Sequence, residues 1–376
     1  MKRFTLHVRM TKKCNADCSY CSSWQANPLA YMKVEEFKKS IDYIVDTVLP
    51  MYGFSYDGNS AVSIQYVGGE IATVPKPIMY KCVFYARQRM GEIFGGVTDG
   101  IQSNLIASER KVSYLATLFG DRIGTSVDTN GIVRTVAGSP DKYKEILAKN
   151  IKFLSEKRNI IPGRIFVVDS VGLENARIEF DLANSEGYSL VYRPVFHGGK
   201  DVGAASVDEL SSVLGDIFDS WIMSSSISVE PFHQLLVERL SEFSNDDGLK
   251  FHFGCPFQAE CAEVSLDLEP NGDLYVCLDM ADSDQMRLGN AVTGEFDNEL
   301  WGDLRRRKEK LDADCNSCKW LDSCHGGCMS EALHSTQSIY GKTELCGLWK
   351  TIFSKIDHAI ERHGVKNVVD WSNSLK

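Results

Sequence analysis

Three cysteines close to the start of the sequence have the type and spacing of metal ligands. Cys14, Cys18 and Cys21 lie in the segment KKCNADCSYCSSW, residues 12–24, with a C-x3-C-x2-C spacing. A [4Fe-4S] cluster has four irons and normally takes four thiolates. Three thiolates would leave one iron open, and a small molecule with an amine and a carboxylate could chelate it. A zinc or redox motif is the alternative, although a zinc site also needs four ligands.

The composition favours metal ligation over disulfides. The chain has 376 residues, 12 cysteines and a formal net charge of −10. Its beginning lacks the apolar region of a signal peptide, and no apolar stretch reaches about 18 residues, so we expect a cytoplasmic protein with reduced thiols. The acidic charge offers no basic face for nucleic acid or for an anionic membrane surface.

The first two thirds of the chain alternate between strand and helix patterns. The sequence predicts six strands, at residues 4–10, 62–67, 99–105, 122–128, 164–170 and 188–195. The clearest helices are predicted at residues 34–49, 76–90, 141–157 and 208–223. Six β–α units with right-handed crossovers predict an α/β fold, a partial (β/α)6 barrel of the TIM type. The three cysteines then follow the first strand, at the C-terminal mouth where such barrels carry their chemistry.

The pattern changes near residue 250, where cysteines on Gly- and Asp-rich loops replace the alternating elements. We predict a barrel at residues 1–235, a linker at 236–254, a cysteine-rich domain at 255–348 and a C-terminal helix and tail at 349–376. The last helix is amphipathic, and one face carries Leu348, Trp349, Ile352, Phe353, Ile356 and Ile360.

The segment CNADCSYC resembles the motif of the radical S-adenosylmethionine (SAM) enzymes, in which the open iron binds the methionyl part of SAM. The resemblance implies a [4Fe-4S] cluster on Cys14, Cys18 and Cys21 and SAM as a cofactor. It also implies the reaction: one electron cleaves SAM, and the resulting 5′-deoxyadenosyl radical takes a hydrogen atom from an unactivated C–H bond.

The same resemblance implies residues that contact SAM. In the order of the family's motifs these are Gly68, Gly69, Glu70, Ser103, Asn104, Ser126, Asp128 and Arg134. Glu70 ends the GGE motif that holds the SAM amino group, and the segment that ends at Asp128, with Arg134, meets the carboxylate and ribose. The third-strand motif of the family ends in glycine, and Leu105 replaces it here.

A second group of cysteines resembles the SPASM extension of radical SAM enzymes, which houses two auxiliary [4Fe-4S] clusters. The resemblance implies one cluster on Cys255, Cys261, Cys277 and Cys328, and another on Cys315, Cys318, Cys324 and Cys346. Four thiolates leave no open iron, so these clusters would accept or relay electrons. A pair of zinc-ribbon-like sites built from the same C-x2-C turns is the alternative. Cys82, inside a predicted helix, is expected to be an ordinary buried thiol.

The family contains both peptide maturases and anaerobic sulfatase-maturing enzymes. The latter carry an aspartate immediately after the cysteine that corresponds to Cys277, and it serves as the base. This chain has Leu278 there and Asp279 one residue later, and in a strand that shift would turn the carboxylate to the opposite face. We therefore favour a maturase that oxidises or cross-links a side chain of a ribosomally made peptide. Formylglycine formation in a sulfatase and oxidation or epimerisation of a small molecule are the alternatives.

Three polar residues are candidate catalytic groups. Asp169 and Arg193 end the fifth and sixth strands, and Asp279 follows Cys277. The chemistry also implies an external one-electron donor such as a flavodoxin or a ferredoxin. A non-catalytic electron-transfer protein would explain the clusters, but not a six-unit barrel with SAM-binding strand ends.

Overall fold

A computed structural model describes residues 2–23, 31–56, 59–195, 203–243 and 260–375. Its strands are β1 (Lys2–Arg9), β2 (Asp17–Cys18), β3 (Ser60–Val67), β4 (Gly96–Gln102), β5 (Ile123–Val127), β6 (Arg134–Thr135), β7 (Gly163–Val168), β8 (Leu190–Pro194), β9 (Val229–Glu230), β10 (Ser265–Leu268), β11 (Asp273–Tyr275), β12 (Gly289–Asn290) and β13 (Glu295–Phe296). Eleven of them form one sheet, and β2 pairs with β6 in a separate ribbon.

The helices are α1 (Val34–Tyr43), α2 (Leu49–Met51), α3 (Lys76–Met90), α4 (Glu109–Phe119), α5 (Pro140–Arg158), α6 (Asn175–Glu186), α7 (Val207–Trp221), α8 (Phe232–Ser241), α9 (Cys261–Val264), α10 (Leu278–Asp282), α11 (Asn298–Arg305), α12 (Ala313–Asn316), α13 (Leu321–Cys324), α14 (Met329–Thr336), α15 (Cys346–His363) and α16 (Val365–Ser374). One π-helical turn, Ile44–Val48, continues α1 into α2. None of the helices in the described ranges combines the length and the apolar character that a membrane span needs.

The six predicted strands form the parallel centre of the sheet, in the order β1-β3-β4-β5-β7-β8. Apolar side chains on one face of neighbouring strands stand in register, as Leu6 does with Ile64 and Val8 with Tyr66. All four are buried, because the helices that connect the strands cover this face. The predicted α/β class and the six β–α units are therefore confirmed.

The sheet continues beyond the predicted strands at both edges. β9 adds to β8, and β10 pairs in parallel with β1, followed by the antiparallel strands β11 to β13. Among the described residues β1 therefore pairs with β10 and β3, and the parallel sheet does not close on itself. The sequence pattern missed β10 because its four residues are too short for a period-two signal.

The C-terminal region packs on the outer helices. α15 buries the whole predicted apolar face and lies against α7 and α8. The thiol of Cys82, in α3, is buried as expected. α8 continues through the predicted boundary at residue 235, and the division of the chain into domains stays a prediction.

Candidate active site

The three N-terminal cysteines line one cavity together with the ends of the parallel strands. The cavity has a volume of about 430 Å³, and Cys14, Cys18 and Cys21 contribute to its wall. Seven of the eight residues that the sequence assigns to SAM also line it: Gly68, Gly69, Glu70, Ser103, Asn104, Ser126 and Arg134. Residues distant in sequence thus meet at the C-terminal ends of β3, β4 and β5, where a parallel sheet offers its binding crevice.

The cysteine loop is fixed by backbone hydrogen bonds. Cys18 lies in β2, and its partner across the ribbon is Arg134 of β6. The amide of Ser19 donates to the carbonyl of Val133 at 3.1 Å. The part of the loop that carries Cys18 and Cys21 is therefore positioned by the segment that carries Arg134.

The two glycines after β3 allow a close approach of the backbone. A Cβ atom on Gly68 would stand 2.5 Å from the carbonyl oxygen of Thr11, and one on Gly69 would stand 2.4 Å from that of Lys12. The amide of Gly69 donates to the Thr11 carbonyl at 2.8 Å. Glycine is needed at both positions because any side chain would push the cysteine loop away from the strand ends.

Glu70 is 1% exposed, and its carboxylate accepts three hydrogen bonds from the protein. The donors are the hydroxyl of Ser103 at 2.6 Å, the amide of Asn104 at 2.6 Å and the amide of Ala72 at 2.8 Å. Burial raises the pKa of Glu70, and these hydrogen bonds oppose the shift. Since a carboxylate has about four acceptor positions, one remains for a ligand in the cavity.

Asn104 ties the cysteine loop to the end of β4. Its side-chain amide donates to Asn15, between Cys14 and Cys18, at 3.0 Å. Asn15 in turn donates to the carbonyl of Ile106. These contacts assign Asn104 a positional function in the loop that the motif alone did not reveal.

Leu105 stands where the motif that the segment resembles has glycine, and its backbone is left-handed. Its φ is 56°, in the left-handed region, and its side chain is fully buried. Its amide donates to Ser103 at 3.1 Å, and its carbonyl accepts from Asn150 at 2.7 Å. The left-handed backbone of a leucine is strained, and the packing of its buried side chain offsets this strain.

Leu105→Gly should be more stable than Leu105→Ala by about 1 kcal/mol, because both lose the packing but only glycine relieves the left-handed strain. At the buried Leu115 of α4 the order should be the usual one, with glycine about 1 kcal/mol less stable than alanine. Denaturant unfolding of the four variants measures both differences. An alanine variant at least as stable as the glycine variant at position 105 would contradict the strain.

Arg134 supplies a buried cation in the wall of the cavity. Its guanidinium stacks near Tyr20, 5.1 Å from the ring centre, and donates to the hydroxyl of Tyr143 at 3.2 Å. Its Nε has no hydrogen-bond partner within the described residues. Ser126 accepts a hydrogen bond of 3.2 Å from Gln102, a cavity residue that the sequence analysis missed. Gln102 could have been identified in the sequence as a cavity residue because it lies at the end of a strand and points inward.

Asp128 lies outside the cavity of the cysteines. It lines a separate cavity of about 450 Å³, next to Thr129, Lys144 and residues of α5. Burial raises the pKa of Asp128 to about 6, and Arg134 opposes the shift. Although Asp128 lies in a separate cavity, its charge also acts on Cys18.

The structure brings two of the candidate catalytic residues together. Arg193, at the end of β8, forms an ion pair with Asp279. Residues 278–282 form a helix with Cys277 at its N-cap, so the premise that Asp279 lies on a strand does not hold. Asp169 is buried, and one of its oxygens accepts from the amide of Gly172 while the other has no partner within the described residues.

Four of the C-terminal cysteines lie close together. Cys315, Cys318, Cys324 and Cys346 line a single cavity of about 30 Å³. Burial raises the pKa of Cys324 to about 12, and the three other cysteines add to the shift. Such crowded thiols ionise only next to positive charge, which the iron of a cluster provides. The donor set therefore fits the second auxiliary cluster.

Three of the four cysteines of the other auxiliary set lie in the described part of the chain. Cys277 and Cys328 are electrostatic neighbours, whereas Cys255 lies outside the described residues. Arg307 is buried between the two sets, and Cys261, Cys328, Cys315 and Cys324 all interact with its charge. In the described ranges no three His, Cys, Asp or Glu side chains stand at the spacing of ligands to a single metal ion.

Solved structures resemble this chain over nearly its whole length. Histidine-tagged anSMEcpe with bound AdoMet, an anaerobic sulfatase-maturing enzyme, matches with a TM-score of 0.75 and 17% identity, over 100% of this chain and 98% of the other. The chain shares the fold of this enzyme. Native anSMEcpe with AdoMet and the Cp18Cys peptide matches with a TM-score of 0.71 and 18% identity, over 98% and 99% of the two chains.

A more distant match is SuiB of Streptococcus suis bound to its precursor peptide SuiA. It has a TM-score of 0.57 and 14% identity, over 92% of this chain and 76% of SuiB. At the level of sequence, no family model and no curated protein matches the chain. The predicted resemblance is therefore confirmed at the level of the fold.

Proposed function

We propose that this protein is a radical SAM enzyme that oxidatively modifies or cross-links a side chain of a peptide. The observation that carries the proposal is the cavity in which Cys14, Cys18 and Cys21 face Glu70 and Arg134. Bound there, a [4Fe-4S] cluster with SAM supplies the one-electron chemistry that removes a hydrogen atom from an unreactive C–H bond.

The polar groups of the cavity suit the two ends of the amino acid part of SAM. Glu70 is a buried carboxylate with an acceptor position left for an amino group. Arg134 is a buried cation, and its Nε–H, which has no partner among the described residues, can donate to a carboxylate. Ser103 and Asn104 act on SAM indirectly, because they orient Glu70 and the cysteine loop.

The auxiliary cysteines extend the proposal to three [4Fe-4S] clusters. A net oxidation leaves one electron after hydrogen abstraction and bond formation, and a cluster near Cys277 would receive it. Cys277 caps the helix whose Asp279 contacts Arg193 at the barrel mouth, so this cluster would lie beside the reacting side chain. We propose an external flavodoxin or ferredoxin as the source of the first electron.

A peptide substrate is supported by the similar enzymes. Solved structures of anSMEcpe contain the Cp18Cys or the Kp18Cys peptide, and that of SuiB contains SuiA. The TM-score and coverage of anSMEcpe favour formylglycine formation as the second candidate function. The position of Asp279 argues against it, because its carboxylate is already engaged by Arg193.

We expect negligible formylglycine when reconstituted enzyme receives a sulfatase-derived peptide, SAM and a reductant. Oxidation of a serine or cysteine side chain to an aldehyde needs a base within about 3 Å of the hydroxyl or thiol proton, or one water away. Mass spectrometry of the peptide measures the aldehyde, and 5′-deoxyadenosine measured in the same reaction is the control for an active cofactor. An aldehyde that forms in the wild type and disappears in Asp279→Ala would establish the sulfatase-maturing function instead.

A further inference from the structure

A buried network of charges joins the C-terminal extension to the start of the cysteine loop. Arg9 contacts Glu269 at 2.8 Å and also the carboxylate of Asp282, and Lys12 contacts Glu269 at 2.7 Å. These four side chains are between 2% and 8% exposed. Two cations of the barrel thus meet carboxylates of the extension away from water, and the buried Asp267 also interacts with the charge of Arg9.

Asp282 also holds the other end of the loop. Its second oxygen accepts a hydrogen bond from the hydroxyl of Ser22. Arg9 and Lys12 precede Cys14, and Ser22 follows Cys21. The carboxylates of Glu269 and Asp282 therefore hold both ends of the segment that contains all three N-terminal cysteines.

The helix that carries Asp282 begins at an auxiliary cysteine. Cys277 is the N-cap of α10, which has five residues, and Asp279 and Asp282 are three residues apart on it. Side chains with that spacing share one face of a helix, and here both meet cations of the barrel, Arg193 and Arg9. A helix of this length is unstable alone, so its position depends on its contacts at both ends.

We propose that Asp282 is a positioning residue through which the auxiliary site at Cys277 stabilises the SAM-binding conformation of the Cys14–Cys21 loop. The inference rests on the proposed radical SAM function. A cluster bound at Cys277 would fix the start of α10. Asp282, the last residue of this helix, would then hold Arg9 and Ser22 in place. Lys12, the next cation of the network, lines the SAM cavity itself.

The test is a double-mutant cycle on SAM affinity. Asp282→Asn should weaken SAM binding to the reconstituted enzyme by about tenfold or more, since a buried charged hydrogen bond is lost, while the iron of the N-terminal cluster remains. Cys277→Ala should weaken it as well. Because both substitutions act through α10, their effects on SAM affinity should not add. The double variant should bind SAM with about the affinity of whichever single variant binds SAM more weakly.

Asp284→Asn is the matched control, because Asp284 follows the same helix but faces Tyr275, and it should leave SAM affinity unchanged. If Asp282→Asn does not fold, Ser22→Ala removes one bond of the network and should weaken SAM binding in the same direction. The change of the cluster's EPR spectrum on SAM addition gives a second readout. Unchanged affinity in Asp282→Asn, or fully additive losses in the cycle, would overturn the coupling. Failure of the wild type to bind SAM would instead overturn the proposed function.

Discussion

Enzyme with Cys14, Cys18 and Cys21 all changed to Ala is expected to cleave no SAM and to hold about eight iron atoms per chain. The wild type, reconstituted without oxygen, should hold about twelve, because the three proposed clusters would contain about four irons each. The loss is confined to one cluster, since these cysteines line a cavity separate from that of the second auxiliary set. Iron and sulfide analysis and chromatography of 5′-deoxyadenosine measure the two effects.

Cys82→Ala is the control for the loss of a thiol. Cys82 is buried in α3 and does not line the cavity of the cysteines, so its removal should leave iron content and SAM cleavage unchanged. Zinc in place of iron and sulfide in the wild type would contradict the whole assignment and would favour zinc sites built from the C-x2-C turns.

The alternating elements of the barrel could be predicted because each carries its own periodic signal. β1 buries Phe4, Leu6 and Val8 at every second position, and α15 buries an apolar face at helical spacing. The extension carries no such signal, since β10 has four residues and α10 has five. The conformations of these short elements depend on what they pack against. The sequence therefore did not indicate that Asp279 lies on a helix and not on a strand.

The motifs identified the residues of the cavity better than they identified what those residues do. The family resemblance assigns Ser103 and Asn104 to the SAM site, whereas the structure shows them bonded to Glu70 and to Asn15. Leu105 stands where the motif has glycine, and its backbone adopts the left-handed conformation that glycine favours. These outcomes follow from tertiary hydrogen bonds and packing, which no local pattern contains.

Arg307 is a residue that the sequence analysis did not identify and whose loss should have a large effect. Its guanidinium is buried and donates to four backbone carbonyls, those of His325, Gly326, Ile339 and Gly341. Two of these carbonyls lie between Cys324 and Cys328, and the other two lie between Cys328 and Cys346. One side chain therefore holds both loops that connect cysteines of the two auxiliary sets.

Arg307→Met should remove most of the iron of both auxiliary sites, about eight atoms per chain. Each buried carbonyl left without a donor costs about 1–3 kcal/mol, and the cation that balances the thiolates of both sets is lost. The auxiliary iron is measured most directly in the variant that lacks Cys14, Cys18 and Cys21, because all of its remaining iron is bound at the auxiliary sites. Arg307→Lys keeps the charge but not the planar fork of donors, so it should retain more iron than Arg307→Met.

Arg306→Met is the matched control on the adjacent residue. Arg306 is 46% exposed and pairs with Asp303 at the surface, so its loss removes a charge without freeing a buried carbonyl. It should keep the full auxiliary iron. If Arg307→Met keeps it too, the two loops hold their cysteines without the guanidinium, and hydrogen bonds within the loops would have to explain the geometry. Equal losses in Arg307→Lys and Arg307→Met would show that the fork of donors, and not the charge, organises the two sites.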